Sequence, residues 1–441
     1  MMTGAGAALH AEHAWTHAGW QHDVRVGAAA DGRVRGRFAL PGMVNLHSHA
    51  FQRAMAGLAE RRGPGDDSFW TWREVMYRFA ARINPDTLRA IATQLYVEML
   101  KAGYTHVCEF HYLHHAPDGE PYADRAAMSK AIIEAARDAG IGLTLLPVLY
   151  MTGGFDGRPL SARQRRFGLS VDAYLRLLEA LLALESPAVR VGIALHSLRA
   201  VPEGAMREVL AAPLAQGRPV HIHIAEQIGE VQDCLSLRHA RPVQWLFGHA
   251  DVDARWCLVH ATHVDPAEMH ALAKSGAVAG LCPTTEANLG DGLFPLANFL
   301  DAGGVLGIGS DSHISVSPVE ELRWLEYGQR LASCHRNVAA RKAGASVGEA
   351  LWRAASRGGR QAAGVPGGSG VADWIVLDDA APALAARDTS SVLDSFLFAG
   401  NVPLVRDVMA GGAWVVRDFR HRDEDRIASA YRAAVAQLAG A

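Results

Sequence analysis

"PGMVNLHSHAFQR", residues 41–53, places two histidines one residue apart, directly after a short apolar run. Met43-Val44-Asn45-Leu46 reads as a buried strand, and in a strand residues i and i+2 point to the same face. His47 and His49 therefore project together, and Ser48 points away. Two imidazoles side by side at a strand end can grip a metal ion once further ligands arrive from elsewhere. Two polar residues in an exposed turn would look the same, so the rest of the chain has to decide.

Seven more apolar runs follow: "THVCEFHY" (105–112), "LTLLPVLY" (143–150), "VRVGIALHS" (189–197), "PVHIHIAE" (219–226), "WCLVHATH" (256–263), "AVAGLCPTT" (277–285) and "GVLGIGSDSH" (304–313). Most are continuous rather than alternating, as in strands covered on both faces. Amphipathic segments such as "PDTLRAIATQLYVEMLKAG" and "VDAYLRLLEALLALE" lie between them. The first has a helix start at Asn84-Pro85 and a stop at Gly103. Eight strands, each followed by helix, predict an α/β fold: a (β/α)8 TIM-type barrel over residues 41–370. The flanks, 1–40 and 371–420, hold short strand-like pieces around turns such as Asp31-Gly32. They are expected to pair into a small β-sandwich domain made from both chain ends. Residues 421–441 are expected to form a C-terminal helix, with Ile427, Tyr431, Val435 and Leu438 on one face.

The chain has 441 residues, 49% hydrophobic and 20% charged, enough for a large core. A net charge of −3 and a pI near 6.7 offer no basic surface for nucleic acid. No apolar stretch approaches the roughly 18–20 residues of a membrane span. The N-terminus lacks the pattern of a signal peptide. The five cysteines are odd in number, scattered and without a CxxC, and read as free thiols in a reducing compartment. A cytoplasmic protein is expected. Only four of the 43 basic residues are lysine, which fits genomic base composition. Of the 21 histidines, His10, His13, His17 and His22 have no apolar scaffold around them and are expected on the surface.

Barrel active sites are built at the C-terminal ends of the strands. Here strand 1 ends in His47 and His49, and strand 2 in Glu109, His111 and Tyr112. Strand 4 ends in His196 with Arg199 just beyond. Strand 5 carries His221, His223 and Glu226; strand 6, His260 and His263; strand 8, Ser310, Asp311 and His313. One such residue is ordinary, but metal-type ligands at strands 1, 5, 6 and 8 of one barrel are hard to explain as background.

"HSH" after strand 1, "HIHIAEQ" at strand 5, "VHATH" at strand 6 and "GSDSH" at strand 8 resemble the amidohydrolase superfamily. The HxxE form of strand 5 (His223, Glu226) resembles its mononuclear deaminase branch. The β-domain built from both chain ends is similar too. Three longer strings, "PGMVNLHSHAFQRAMAGLAE", "CPTTEANLGDGLFP" and "GSDSHISVSPVEELRWLEYGQRL", resemble the formimidoylglutamate deiminases within that superfamily. Binuclear members carry a bridging lysine at the end of strand 4, and "IALHS" stands there instead, so one metal per chain is expected. His47, His49, His223 and Asp311 make an N₃O shell suited to zinc, with iron and manganese as alternatives. His221 shares the strand face of His223 and is the competing ligand; the HxxE register favours His223.

The resemblance implies hydrolytic deimination of N-formimino-L-glutamate to N-formyl-L-glutamate and ammonia, a step of histidine degradation. In that scheme Asp311 accepts the proton of a metal-activated water, His260 orients the resulting nucleophile and Glu226 carries protons to the departing nitrogen. Gln52, Arg73, Tyr112, His196 and Arg199 fall at the family's substrate-contacting positions. Two arginines suit the two carboxylates of the substrate. A homodimer is implied by the habit of many relatives. The competing reading keeps the fold and changes the substrate to a guanine- or triazine-type heterocycle, whose pocket would favour stacking over two arginines. A metal-free structural relative is the other alternative.

Overall fold

The computed structural model describes residues 8–16, 18–27, 34–63, 69–365 and 373–439. The chain opens with β1 (Leu9–Thr16), β2 (Gly19–Val26) and β3 (Val34–Pro41). Then come β4 (Met43–Ser48), β5 (Tyr104–His111), β6 (Gly142–Leu149), β7 (Val189–Val191), β8 (Ile193–Ser197), β9 (Val220–Ile224), β10 (Trp256–His260), β11 (Val278–Leu281) and β12 (Val305–Ile308). It closes with β13 (Trp374–Leu377), β14 (Val405–Ala410), β15 (Ala413–Arg417) and β16 (Arg420–His421).

Strands β4 to β12 form a parallel sheet in the order β12-β11-β10-β9-β8-β6-β5-β4. A bridge between Ser48 and Asp311 joins its two edges. This is the barrel that the eight apolar runs predict. The fourth run, read as one strand, is broken at Gly192: β6 pairs first with β7 and then with β8. A Cβ at Gly192 would lie 2.6 Å from Leu146 and 2.9 Å from Pro219, so only glycine lets the neighbours close there. The strands are buried along almost their whole length, which their continuous apolar composition requires.

The helix expected after the first strand spans Pro85–Ala102. Asn84 caps it by accepting from Thr87 N, Thr87 answers from its side chain, and Gly103 ends it at φ 107°. Such a cap contributes about 1 kcal/mol. Its buried face, with Leu88, Ile91, Leu95 and Met99, packs into the main core.

The remaining seven strands form one sheet in the order β16-β15-β14-β13-β3-β1-β2. The two chain ends meet where β3 pairs antiparallel with β13, Leu40 opposite Ile375. Because β3 also pairs with β1, the ladder runs continuously across both ends. Gly411 and Gly412, both at positive φ, turn β14 into β15. The Asp31-Gly32 turn lies outside the described residues, as does His17. His13 departs from its surface expectation: on β1 it stacks on Phe38 at 5.5 Å and meets the His22 ring edge-on. The C-terminal helix, Glu424–Ala439, buries Ile427 and Leu438, with Tyr431 and Val435 partly covered. Among the described residues no helix is long and apolar enough to cross a membrane.

Candidate active site

A cleft opens at the C-terminal ends of the barrel strands. His49, His223, Glu226, His260 and Asp311 line it, together with Gln52, Arg73, Tyr112, His196 and Arg199. His47 sits just beneath, fully buried.

The period of the strand brings His47 and His49 together, their Nε2 atoms 3.2 Å apart. His223, from β9, places its Nε2 3.0 Å from that of His47. Asp311 Oδ1 lies 3.3 Å from His49 Nε2 and 3.5 Å from His47 Nε2. Gly309 makes this approach possible, since a Cβ there would meet the His47 backbone at 2.8 Å. His49 Nδ1 donates to Phe110 O and His223 Nδ1 to His196 O, each at 2.9 Å. Those bonds place the ring proton on Nδ1 and leave Nε2 as a bare lone pair. Bare lone pairs and a carboxylate oxygen crowded around one point repel one another unless a cation stands between them. Tetrahedral bonds of about 2.0–2.2 Å put neighbouring ligands roughly 3.3–3.5 Å apart, which the contacts of His47 with His49, His223 and Asp311 approach. The ligand atoms gather in two groups that share His47, one with His49 and Asp311 and one with His223 and His260. The donor set therefore fits a metal ion.

His221 does not join this set. Its Nε2 bonds to Ala362 O at 2.8 Å, on the far side of the strand's end. His263 and His111 also stand outside the cleft lining, and His313 is buried behind it.

His260 faces carboxylates through both nitrogens. Nδ1 lies 3.3 Å from Glu286, while Nε2 lies 3.7 Å from Asp311 and 3.9 Å from Glu226. Burial disfavours its charge, but Glu226, the Glu286 hydrogen bond and Asp311 outweigh that and push its pKa up to about 10. Burial raises Glu226 to about 7, with His260 and Arg199 pulling it down and Asp311 and Glu230 pushing it up. A carboxyl poised near neutrality is suited to taking and giving a proton. His260 (φ 68°), Ala261 (φ 49°), Ala225 (φ 50°) and Asp311 (φ 46°) hold left-handed backbone conformations at the barrel mouth. Such strain gathers at sites where geometry is imposed by surroundings.

Gln52 donates to the Tyr112 hydroxyl at 3.0 Å, and its own carbonyl oxygen has no protein partner. Arg73 projects from the helix Phe69–Ala80. Burial lowers its pKa, and Arg199, which also lines the cleft, lowers it further. Trp72, Met76, Tyr77, Tyr150, Phe167 and Leu289 complete the lining and escaped the sequence reading, as did Glu286 behind it. Tyr150 is the residue after β6 and reads from sequence as the last apolar position of a strand. Glu286 lies within "CPTTEANLGDGLFP", a string that carried the resemblance without a role of its own.

The model of the amidohydrolase family matches residues 38–415. A curated formimidoylglutamate deiminase of Pseudomonas aeruginosa is 54% identical, across 98% of this chain and 99% of that protein. The crystal structure of an amidohydrolase from Brucella melitensis superposes with a TM-score of 0.92 at 45% identity, over 98% of this chain and 100% of that one. An adenosine deaminase from Xanthomonas campestris solved with bound zinc shares the fold at a TM-score of 0.80 and 21% identity, covering 99% of each chain. The chain belongs to the amidohydrolase family.

Proposed function

We propose that this protein hydrolyses N-formimino-L-glutamate to N-formyl-L-glutamate and ammonia, as a step of histidine degradation. The observation that carries the reading is one cleft lined both by converging metal-type lone pairs and by two arginines, Arg73 and Arg199. That layout suits a small dianion with a reactive amidine. The 54% identity to a curated formimidoylglutamate deiminase supports it.

His47, His49, His223 and Asp311 would hold one zinc ion, the metal that suits an N₃O set; iron and manganese are the alternatives that metal analysis would separate. A bound zinc supplies a water acidic enough to lose its proton near neutral pH. Asp311 would accept a water proton there, its Oδ2 being turned toward His260. His260, held between carboxylates, orients the attacking oxygen. Glu226, at the lip of β9, carries the proton onward to the nitrogen that departs as ammonia. Gln52, Tyr112 and His196 align the body of the substrate. Arg73 and Arg199 take its two carboxylates, a guanidinium fork matching a carboxylate.

The test is ammonia release by the purified, zinc-loaded protein. N-formimino-L-glutamate is compared with guanine, cytosine and a guanidino acid. Turnover of the formimino compound far above the others is expected, with about one metal ion per chain. Faster release from a heterocycle would overturn the substrate, and two tightly held metals per chain would overturn the single-ion shell.

A further inference from the structure

The barrel sheet is zipped by backbone pairs at every neighbouring position except one. Between β12 and β4 the ladder shrinks to the single Ser48–Asp311 bridge. The candidate metal ligands straddle this seam: His47 and His49 on one side, Asp311 on the other. A run of buried side chains crosses it instead.

Asn45 Nδ2 donates to Ser310 Oγ at 2.6 Å. The Asn45 carbonyl accepts from Ser310 N at 3.0 Å, which fixes the amide's orientation. Ser310 Oγ lies 2.9 Å from His313 Nδ1, and His313 Nε2 lies 3.2 Å from Ser48 Oγ. Ser48 donates to Glu109 Oε2 at 2.6 Å. Glu109 also accepts from Ala50 N at 2.7 Å and from the Tyr96 hydroxyl at 3.1 Å. All five members of the run are buried.

The direction of each bond follows from its ends. Asn45 Nδ2 can only donate, so the Ser310 hydroxyl proton is free to go to His313 Nδ1. His313 then carries its proton on Nε2 and gives it to Ser48. The Ser48 hydroxyl gives its own to the Glu109 carboxylate. Donors and acceptors agree along the whole run. Every link also touches the chain beside a ligand. Ser48 separates His47 from His49, Ala50 follows His49, and Ser310 and His313 bracket the strained Asp311 turn.

We propose that the run Glu109–Ser48–His313–Ser310–Asn45 positions the two histidines and the aspartate across the open seam, and so sets metal affinity without touching the ion. This rests on the reading of His47, His49, His223 and Asp311 as the metal shell. Groups that orient metal ligands in this way typically contribute 10–100-fold in affinity.

The test uses the full chain stripped with a chelator at pH 8. Zinc affinity is measured by competition with a chromophoric chelator, and the visible spectrum is recorded after loading with Co²⁺. Ser48→Ala and His313→Phe are each expected to weaken zinc binding by roughly 10–100-fold and to alter the Co²⁺ bands. The double variant should lose little more than either single one, because breaking one link already uncouples the seam. A Ser48→Ala protein that folds, binds zinc within twofold of wild type and keeps its Co²⁺ spectrum would overturn the proposal. Should it not fold, Ser310→Ala carries the same comparison with the same two outcomes. His223→Ala separates the two readings: if that variant keeps full metal, the shell itself is misread. If it loses the metal while Ser48→Ala does not weaken it, only the positioning run falls.

Discussion

His221 and His223 leave the same strand two residues apart, and both are buried, yet they use their ring nitrogens in opposite ways. His223 ties Nδ1 to a backbone carbonyl and turns a bare Nε2 toward His47. His221 spends Nε2 on the carbonyl of Ala362. Other histidines take one arrangement or the other. At the barrel mouth His49 follows His223, with Nδ1 bonded to Phe110 O. Away from it, His114 gives Nε2 to Val148 O and His106 shares Nε2 with the Thr144 hydroxyl. Burial therefore does not distinguish a candidate ligand from a structural histidine; the meeting of its bare ring nitrogen with other ligand atoms does.

The sharpest way to break this comparison is to remove one member of each kind. His223→Ala is expected to lose both bound zinc and measurable turnover. His221→Asn is expected to retain about one metal ion per chain and most of the activity. Metal analysis and ammonia release on the two purified variants decide it. Loss of metal from His221→Asn, with His223→Ala intact, would reverse the assignment.

Within the mouth, a group that moves protons should differ from one that binds metal. Glu226→Gln keeps the shape of the side chain and removes its proton chemistry. It should keep the metal and lose about 10²–10⁴ in kcat, the usual size of a general acid/base contribution. A variant that comes out metal-free would make Glu226 a ligand instead.

The two arginines of the cleft extend the contrast from metal to substrate. A carboxylate enclosed without its arginine typically costs about 3–5 kcal/mol. At about 1.4 kcal/mol per tenfold, Arg199→Met should lower kcat/KM on N-formimino-L-glutamate roughly 10²–10³-fold. Metal content should stay constant, and the slow reaction of an uncharged formamidine should barely change. Parallel loss on both substrates would mean that Arg199 supports the fold or the metal shell.

Much of this was legible in the sequence because the relevant periods are short. A continuous apolar run announces a doubly covered strand, and a period of two puts His47 beside His49. The break at Gly192 was not legible, since a glycine inside an apolar run does not announce which neighbours crowd it. Nor was the part played by Glu109, which depends on the register that sets it opposite Ser48. Tyr150 and Glu286 stayed hidden for a related reason. One reads as the end of a core strand and the other as a polar residue just past one, and the barrel brings the first to the cleft and the second behind it. The choice between His221 and His223 lies at the limit of sequence reading. Both point the same way, and the carbonyls that separate them belong to distant segments.

The structural histidines leave a smaller signature of their own, in acid. Burial lowers the pKa of His106 and of His114 to about 3 and that of His221 to about 4. In the unfolded chain each returns to the ordinary value near 6.5. Between those values the unfolded chain takes up protons that the folded chain refuses, so stability is complete above pH 6.5 and falls as the pH drops. At pH 5.5, one unit below the unfolded value, each contributes a loss of about 1.4 kcal/mol, or tenfold in the folding equilibrium. Urea unfolding of the metal-free protein between pH 7.5 and 5 measures the slope, with metal removed so that the ligand histidines titrate identically in every variant. His221→Asn should reduce the proton uptake on unfolding by about one, and so should His114→Gln. The bond of His221 to Ala362 is what the variant gives up, and its loss should lower stability equally at all pH values. An unchanged slope in both variants would mean that these imidazoles protonate within the fold, and the division between the two kinds of buried histidine would then rest on geometry without its energetic consequence.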